Sequence, residues 1–102
     1  MLGEPAAGQD KRYVVYNDTV RTDFKEVYLA PAGTQDWGPN QAVNDKDKSL
    51  DAGERLRLTG LSPGRFSVKL VDRKGRTCIL PEVNLTRENS FQIREKHLST
   101  CH

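Results

Sequence analysis

The residues best suited to contact a ligand surround the only tryptophan of the chain, in the segment TQDWGPNQ (34–41). Exposed Trp and Tyr rings stack on sugars, and neighbouring Asp and Asn side chains can bind the sugar hydroxyls. Trp37 and Tyr28, with Asp36 and Asn40, therefore form one candidate ligand surface. The alternative is that the loop folds the indole inward over Tyr28, leaving Asp36 and Asn40 as backbone caps. We favour the buried ring, because only 35% of the 102 residues are apolar and so thin a core needs its tryptophan.

A second candidate surface is basic. Residues 55–76 carry seven Lys or Arg residues and a single acid. Alternation predicts that Arg57 points outward from one strand and that Arg65 and Lys69 point outward from the next, so that a hairpin over 54–72 would show a cationic face. Such a face could hold an anionic polysaccharide, a lipid headgroup or an acidic protein. The alternative is a solvated sheet face whose charge keeps the domain soluble and guards against edge pairing.

The two cysteines, Cys78 and Cys101, are predicted to form a disulfide. A small domain with a thin core usually needs a cross-link. Exported proteins with an even number of cysteines typically pair them, whereas a cytosolic protein more often keeps free thiols. On the chain-entropy account, the ring closed by this bond is worth about 3 kcal/mol of stability.

Patterns typical of catalysis or metal binding are weak. His97 and His102 lie near Cys101, but the spacing of a four-ligand metal site is absent. No serine has the sequence context of a nucleophile with a positioned base. We therefore predict no enzyme, no cofactor and no metal. The alternative is a small periplasmic hydrolase or metal-dependent enzyme that uses loop carboxylates and His97.

Short strands between turn signals must position these side chains. Apolar and polar residues alternate in several runs, which is typical of half-buried strands. The runs predict an all-β, single-domain sandwich of six to seven short antiparallel strands, of the prealbumin or immunoglobulin kind. The predicted strands lie at 12–16, 25–30, 54–60, 65–72, 77–85 and 90–95.

The connections carry further predictions. The long polar segment 34–53 is expected to cross between the sheets, with Leu50 as an inward anchor and a short helical turn that Asp36 could cap. Pro81 indicates an edge strand or a bulge. A helical turn at 96–101 would bring Cys101 back to Cys78.

Charge and composition limit the classes of partner that the sequence supports. The net charge of +2 is too small to argue for nucleic acid, and no stretch has the roughly 20 apolar residues of a membrane span. Residues 1–11 are expected to be a disordered segment before a domain at 12–102. The first ten residues lack the apolar run of a signal peptide, so an exported protein would have lost its signal.

Several segments resemble a family of small exported bacterial proteins without an assigned activity. Its members combine an N-x-T turn, a Y-x-x-P strand end, a W-G-x-N loop and a late cysteine pair, and they follow a twin-arginine or general secretory signal. The resemblance spans residues 13–101 and implies export. It is carried by Asn17, Thr19, Tyr28, Pro31, Trp37, Gly38, Asn40, Gly53, Cys78 and Cys101. Residues 61–75 are also similar to a strand pair of prealbumin-like modules.

Together these observations predict a non-enzymatic binding or interaction module, located in the periplasm or outside the cell. The expected partner is an anionic polysaccharide or an envelope protein, and the expected state is a monomer. Besides the small hydrolase, a third hypothesis is an envelope-structural protein without a small ligand.

Overall fold

The computed structural model of the protein describes residues 12–102, so the predicted disorder of 1–11 lies outside the described residues. Within this range the chain forms six strands and two short 3-10 helices, which confirms the all-β prediction. They are β1 (Tyr13–Asn17), β2 (Phe24–Pro31), η1 (Gln41–Asn44), β3 (Arg55–Leu58), β4 (Arg65–Asp72), β5 (Thr77–Asn84), β6 (Ser90–Ile93) and η2 (Glu95–Thr100). No helix in the described part of the chain is long and apolar enough to cross a membrane.

The strands form two three-stranded sheets, which we name sheet A (order β3-β1-β6) and sheet B (order β2-β4-β5). Three of the four strand pairs are antiparallel, as predicted, but β1 and β6 are parallel. The chain enters β6 beside the start of β1, where the amide of Val14 donates to the carbonyl of Asn89 at 3.0 Å. The antiparallel prediction is wrong for this pair because turn signals report only neighbouring strands.

The predicted hairpin over 54–72 is also wrong, since β3 belongs to sheet A and β4 to sheet B. Both strands have an apolar face to bury, and they bury it from opposite sides of the core: Leu56 and Leu58 from sheet A, Val68 and Leu70 from sheet B. The turn between them is therefore a crossing, like the segment 34–53, whose predicted crossing is confirmed.

The sandwich core is formed by the inward residues of both sheets together with anchors from the loops. Leu50, predicted as an anchor, is fully buried, and so are Phe24 and Leu85. Phe24 and Leu50 exchange backbone hydrogen bonds of 3.0 and 2.8 Å, which fix the crossing segment against the start of β2. Tyr13 is also buried, and its hydroxyl has no hydrogen-bond partner among the described residues.

Asn17 ties three segments together at the end of β1. Its side chain is fully buried, and its Nδ2 donates to the carbonyls of Thr22 (2.8 Å) and Leu50 (3.0 Å). Its Oδ1 accepts from the amide of Thr19 at 3.1 Å and from the Thr19 hydroxyl at 2.7 Å. The Asn17 side chain thus bonds the backbone that follows it and also makes a long-range contact with Leu50.

Residues 95–102 pack along the outer edge of β5. The predicted disulfide between Cys78 and Cys101 is present, and η2 brings the two cysteines together. Beyond it, Thr77 and His102 exchange backbone hydrogen bonds of 2.9 and 3.0 Å. Pro81 lies in this edge strand, as expected of a residue without an N–H, and the pairing of β4 with β5 shifts register between Phe66 and Val68.

Candidate functional site

Each sheet presents one face to the core and the other to solvent, and the solvent face of sheet A is basic. On β1, Tyr13 and Val15 are buried, so Val14 and Tyr16 point outward. Val14 lies opposite Arg57 and Tyr16 opposite Arg55 in the register with β3. Pairing of β1 with β3 therefore places outward arginines beside two partly exposed side chains of the central strand.

Three arginines, Arg12, Arg55 and Arg57, line a groove of about 430 Å³ around Val14 on this face. We call it the arginine groove. Across residues 12–102, none of the three guanidinium groups lies within 4.0 Å of a carboxylate. The lining contains one acid, Asp45, which accepts a hydrogen bond from the amide of Asp47 at 2.8 Å. The groove thus carries three arginines against a single acid, so its net charge is positive.

Helix η1 forms one wall of the groove, and its side chains hold it against β3. Gln41 donates to the carbonyl of Thr59 at 2.9 Å and accepts from the Thr59 amide at 3.0 Å. The Asn44 amide donates to the carbonyl of Arg57 at 2.9 Å. Because these bonds replace strand pairing at the outer edge of β3, the backbone that carries Arg57 is fixed before any ligand binds.

The structure separates the basic residues that the sequence grouped. Arg57 lines the arginine groove, whereas Arg65 lies on sheet B and pairs with Glu82 at 3.4 Å. Lys69 also lies on sheet B. The predicted cationic face of one hairpin is therefore wrong, because its two strands belong to different sheets. Sequence reasoning also left Arg12 and Arg55 out of the surface, since their convergence depends on the pairing of β1 with β3.

Trp37 lies half-buried outside the core, beside the solvent face of sheet B, so the favoured interpretation of a buried ring is wrong. The core contains other large side chains, among them the fully buried Phe24 and Leu85, and does not include Trp37. The predicted proximity to Tyr28 is present, however. The Nζ of Lys69 lies 4.9 Å from the centre of the Tyr28 ring and 5.1 Å from that of Trp37, so the lysine joins the two aromatic side chains.

The two polar neighbours of Trp37 differ in role. Asn40 caps η1, and its Oδ1 accepts from the amides of Ala42 at 3.0 Å and Val27 at 2.9 Å. This confirms it as a backbone cap and commits its side chain to the fold. Asp36 is exposed and is not the cap of the helix, so that prediction is wrong.

His97 and the two cysteines belong to what we call the C-terminal closure, which is η2 with the Cys78–Cys101 disulfide and the Thr77–His102 pairing. The Nδ1 of His97 accepts from the amide of Arg94 at 2.9 Å, which fixes the first turn of η2. Burial lowers the pKa of His97, and the positive charges of Lys96 and Arg94 lower it further. The neutral ring is therefore the form that the fold selects, with its Nδ1 already used as an acceptor.

Asp72 is a buried carboxylate at the turn between β4 and β5. It accepts from the amides of Lys74 and Arg76, both at 2.9 Å, and from the Nε of Arg76 at 2.8 Å. Burial alone would raise the pKa of Asp72, but these hydrogen bonds and the Arg76 charge outweigh it and lower the pKa. This acid shapes the turn, in which Gly75 adopts a φ of +87°.

In comparisons with known proteins, no family model, no curated protein and no solved structure matches this chain.

Proposed function

We propose that this protein is an exported, non-enzymatic binding module whose ligand is an anionic polysaccharide, held in the arginine groove. The observation that carries the proposal is the convergence of Arg12, Arg55 and Arg57 without a carboxylate partner. Guanidinium groups bind carboxylate and sulfate oxygens through two parallel hydrogen bonds, and they lose less hydration than ammonium groups on doing so. The disulfide fits a location outside the cytoplasm.

The layout of the groove favours a polymer over a single small anion. Arg55 and Arg57 are two residues apart on β3, so their Cα atoms are about 7 Å apart along the strand. A ligand with repeated charges can contact both at once, and Arg12 adds a third contact. Tyr16, opposite Arg55, offers an aromatic ring against which a sugar can pack.

Affinity chromatography on immobilised heparin and polygalacturonate tests the proposal. The protein should be retained at low salt and should elute as salt approaches about 0.3 M, where the Debye length falls well below 10 Å. The double variant Arg55→Gln/Arg57→Gln should elute at clearly lower salt on both columns. Arg65→Gln is the matched control, because it removes a cation from the opposite sheet where Glu82 already neutralises it.

Two results would overturn the proposal. One is the absence of retention on either column at low salt. The other is an Arg65→Gln shift as large as that of the double variant, since net charge rather than the arginine groove would then account for binding. Circular dichroism of each variant shows whether the fold is intact.

A further inference from the structure

The solvent face of sheet B already holds a cation between two aromatic rings. The Lys69 ammonium lies 4.9 Å from the Tyr28 ring centre and 5.1 Å from the Trp37 ring centre, both within the roughly 6 Å reach of a cation–π interaction. Both rings are half-buried, so one part of each is supported by the protein and another part meets solvent. The arrangement is that of a two-walled cage with an alkylammonium group inside.

Contacts independent of Lys69 keep the two walls in place. The Tyr28 hydroxyl donates to Glu26 Oε1 at 2.7 Å. This hydrogen bond, with burial and the Glu26 charge, raises the pKa of Tyr28 and keeps the phenol protonated. On the other side, the amide of Gly38 donates to the carbonyl of Leu29 at 2.9 Å, which returns the Trp37 loop to the edge of β2.

The Glu26 carboxylate lies beside one wall of the cage. Glu26 is bonded to one wall, and the exposed Asp36 precedes the other in sequence. Lys69 pairs with neither of these carboxylates, since no described ion pair includes it. The Glu26 charge beside the Tyr28 wall therefore adds attraction for a positively charged ligand.

We propose that Tyr28 and Trp37 form a binding site for quaternary ammonium groups, and that Lys69 is an internal occupant which such a ligand displaces. A trimethylammonium group is weakly hydrated, so it loses less on entering an aromatic site than the strongly hydrated lysine ammonium regains on leaving it. This site lies on the face opposite the arginine groove and does not depend on the function proposed for that groove.

Trp37 is the only tryptophan, so its fluorescence reports on the cage directly. We expect choline chloride to change the Trp37 emission saturably, beyond the change caused by sodium chloride at equal ionic strength. In Lys69→Thr, which keeps a residue suited to a strand, choline should bind about 5- to 30-fold more tightly, because two exposed cation–π contacts no longer compete.

Two further variants separate the cage from general effects. Tyr28→Val removes one wall while retaining the fluorophore, and it should weaken choline binding. Lys74→Thr removes an exposed lysine from the β4–β5 turn and should leave binding unchanged. Circular dichroism shows that each variant is folded.

The proposal is overturned if choline and sodium chloride give the same emission change in both the wild type and Lys69→Thr. It is equally overturned if Lys69→Thr binds choline no more tightly than the wild type and Lys74→Thr do. In either case Lys69 is simply a surface lysine packed on aromatic rings.

Discussion

Replacing Asn17 with alanine should destabilise the protein far more than replacing Asn84, although both asparagines begin an N-x-T sequence. Asn17 is fully buried and makes four side-chain hydrogen bonds. Asn84 is exposed and makes two, to the amide and hydroxyl of Thr86 at 3.0 and 2.6 Å. The pair is therefore a matched comparison of one motif in two environments.

The size of the effect follows from what remains after the substitution. A hydrogen bond contributes about 1 kcal/mol net, so four suggest about 4 kcal/mol. Two contacts limit the loss. The carbonyl of Leu50 keeps its bond from the Phe24 amide. The carbonyl of Thr22 accepts the single proton of the Thr19 hydroxyl, which no longer has Asn17 as an acceptor. We expect Asn17→Ala to cost about 2–4 kcal/mol and Asn84→Ala about 0.5 kcal/mol or less.

Urea unfolding followed by circular dichroism measures both values, with equal slopes required for a direct comparison. In thermal unfolding, Asn17→Ala should lower Tm by about 10–25 °C, and Asn84→Ala by a few degrees at most. The reasoning is refuted if Asn17→Ala loses less than about 1 kcal/mol, or if the two variants lose the same amount. Either result would mean that burial of the asparagine does not set the strength of the motif.

Three further predictions concern the core and the C-terminal closure. The double variant Cys78→Ala/Cys101→Ala should lose about 3 kcal/mol in urea unfolding; wild-type protein in reductant should match it, and an unchanged midpoint would contradict the cross-link's role. Tyr13→Phe should be neutral or slightly stabilising in thermal unfolding, since the hydroxyl it removes is buried without a partner, and a large loss would reveal an unseen partner. His97 has a pKa lowered by burial and then by neighbouring positive charge, so the unfolded chain binds its proton first as pH falls. Stability from this group is therefore full above about pH 6.5 and declines below it, a dependence that urea unfolding from pH 7.5 to 5.5 should show and that His97→Gln should reduce.

Local patterns in the sequence were sufficient for much of the fold. Alternation located the strands, and Asn40 was recognisable as a backbone cap. These features depend on residues within a few positions of one another, where backbone preference and side-chain periodicity act directly.

The candidate sites required information that such patterns do not contain. Arg12 and Arg57 line the same groove because β3 pairs with β1 and not with β4. This arrangement lets β3 and β4 bury their apolar faces from opposite sides of the core. Trp37 lies outside the core, which includes loop residues such as Leu50 and Leu85. Lys69, assigned to a basic face, instead contacts two aromatic rings from other segments.

The parallel pair of sheet A constrains how the protein folds. The central strand of that sheet, β1, is among the first described residues of the chain, and its register with β6 joins Val14 to Ser90. Pairing of residues so distant in sequence is slow, since the intervening chain must lose its freedom before the contact forms. A nascent chain therefore cannot complete sheet A until β6 has left the ribosome.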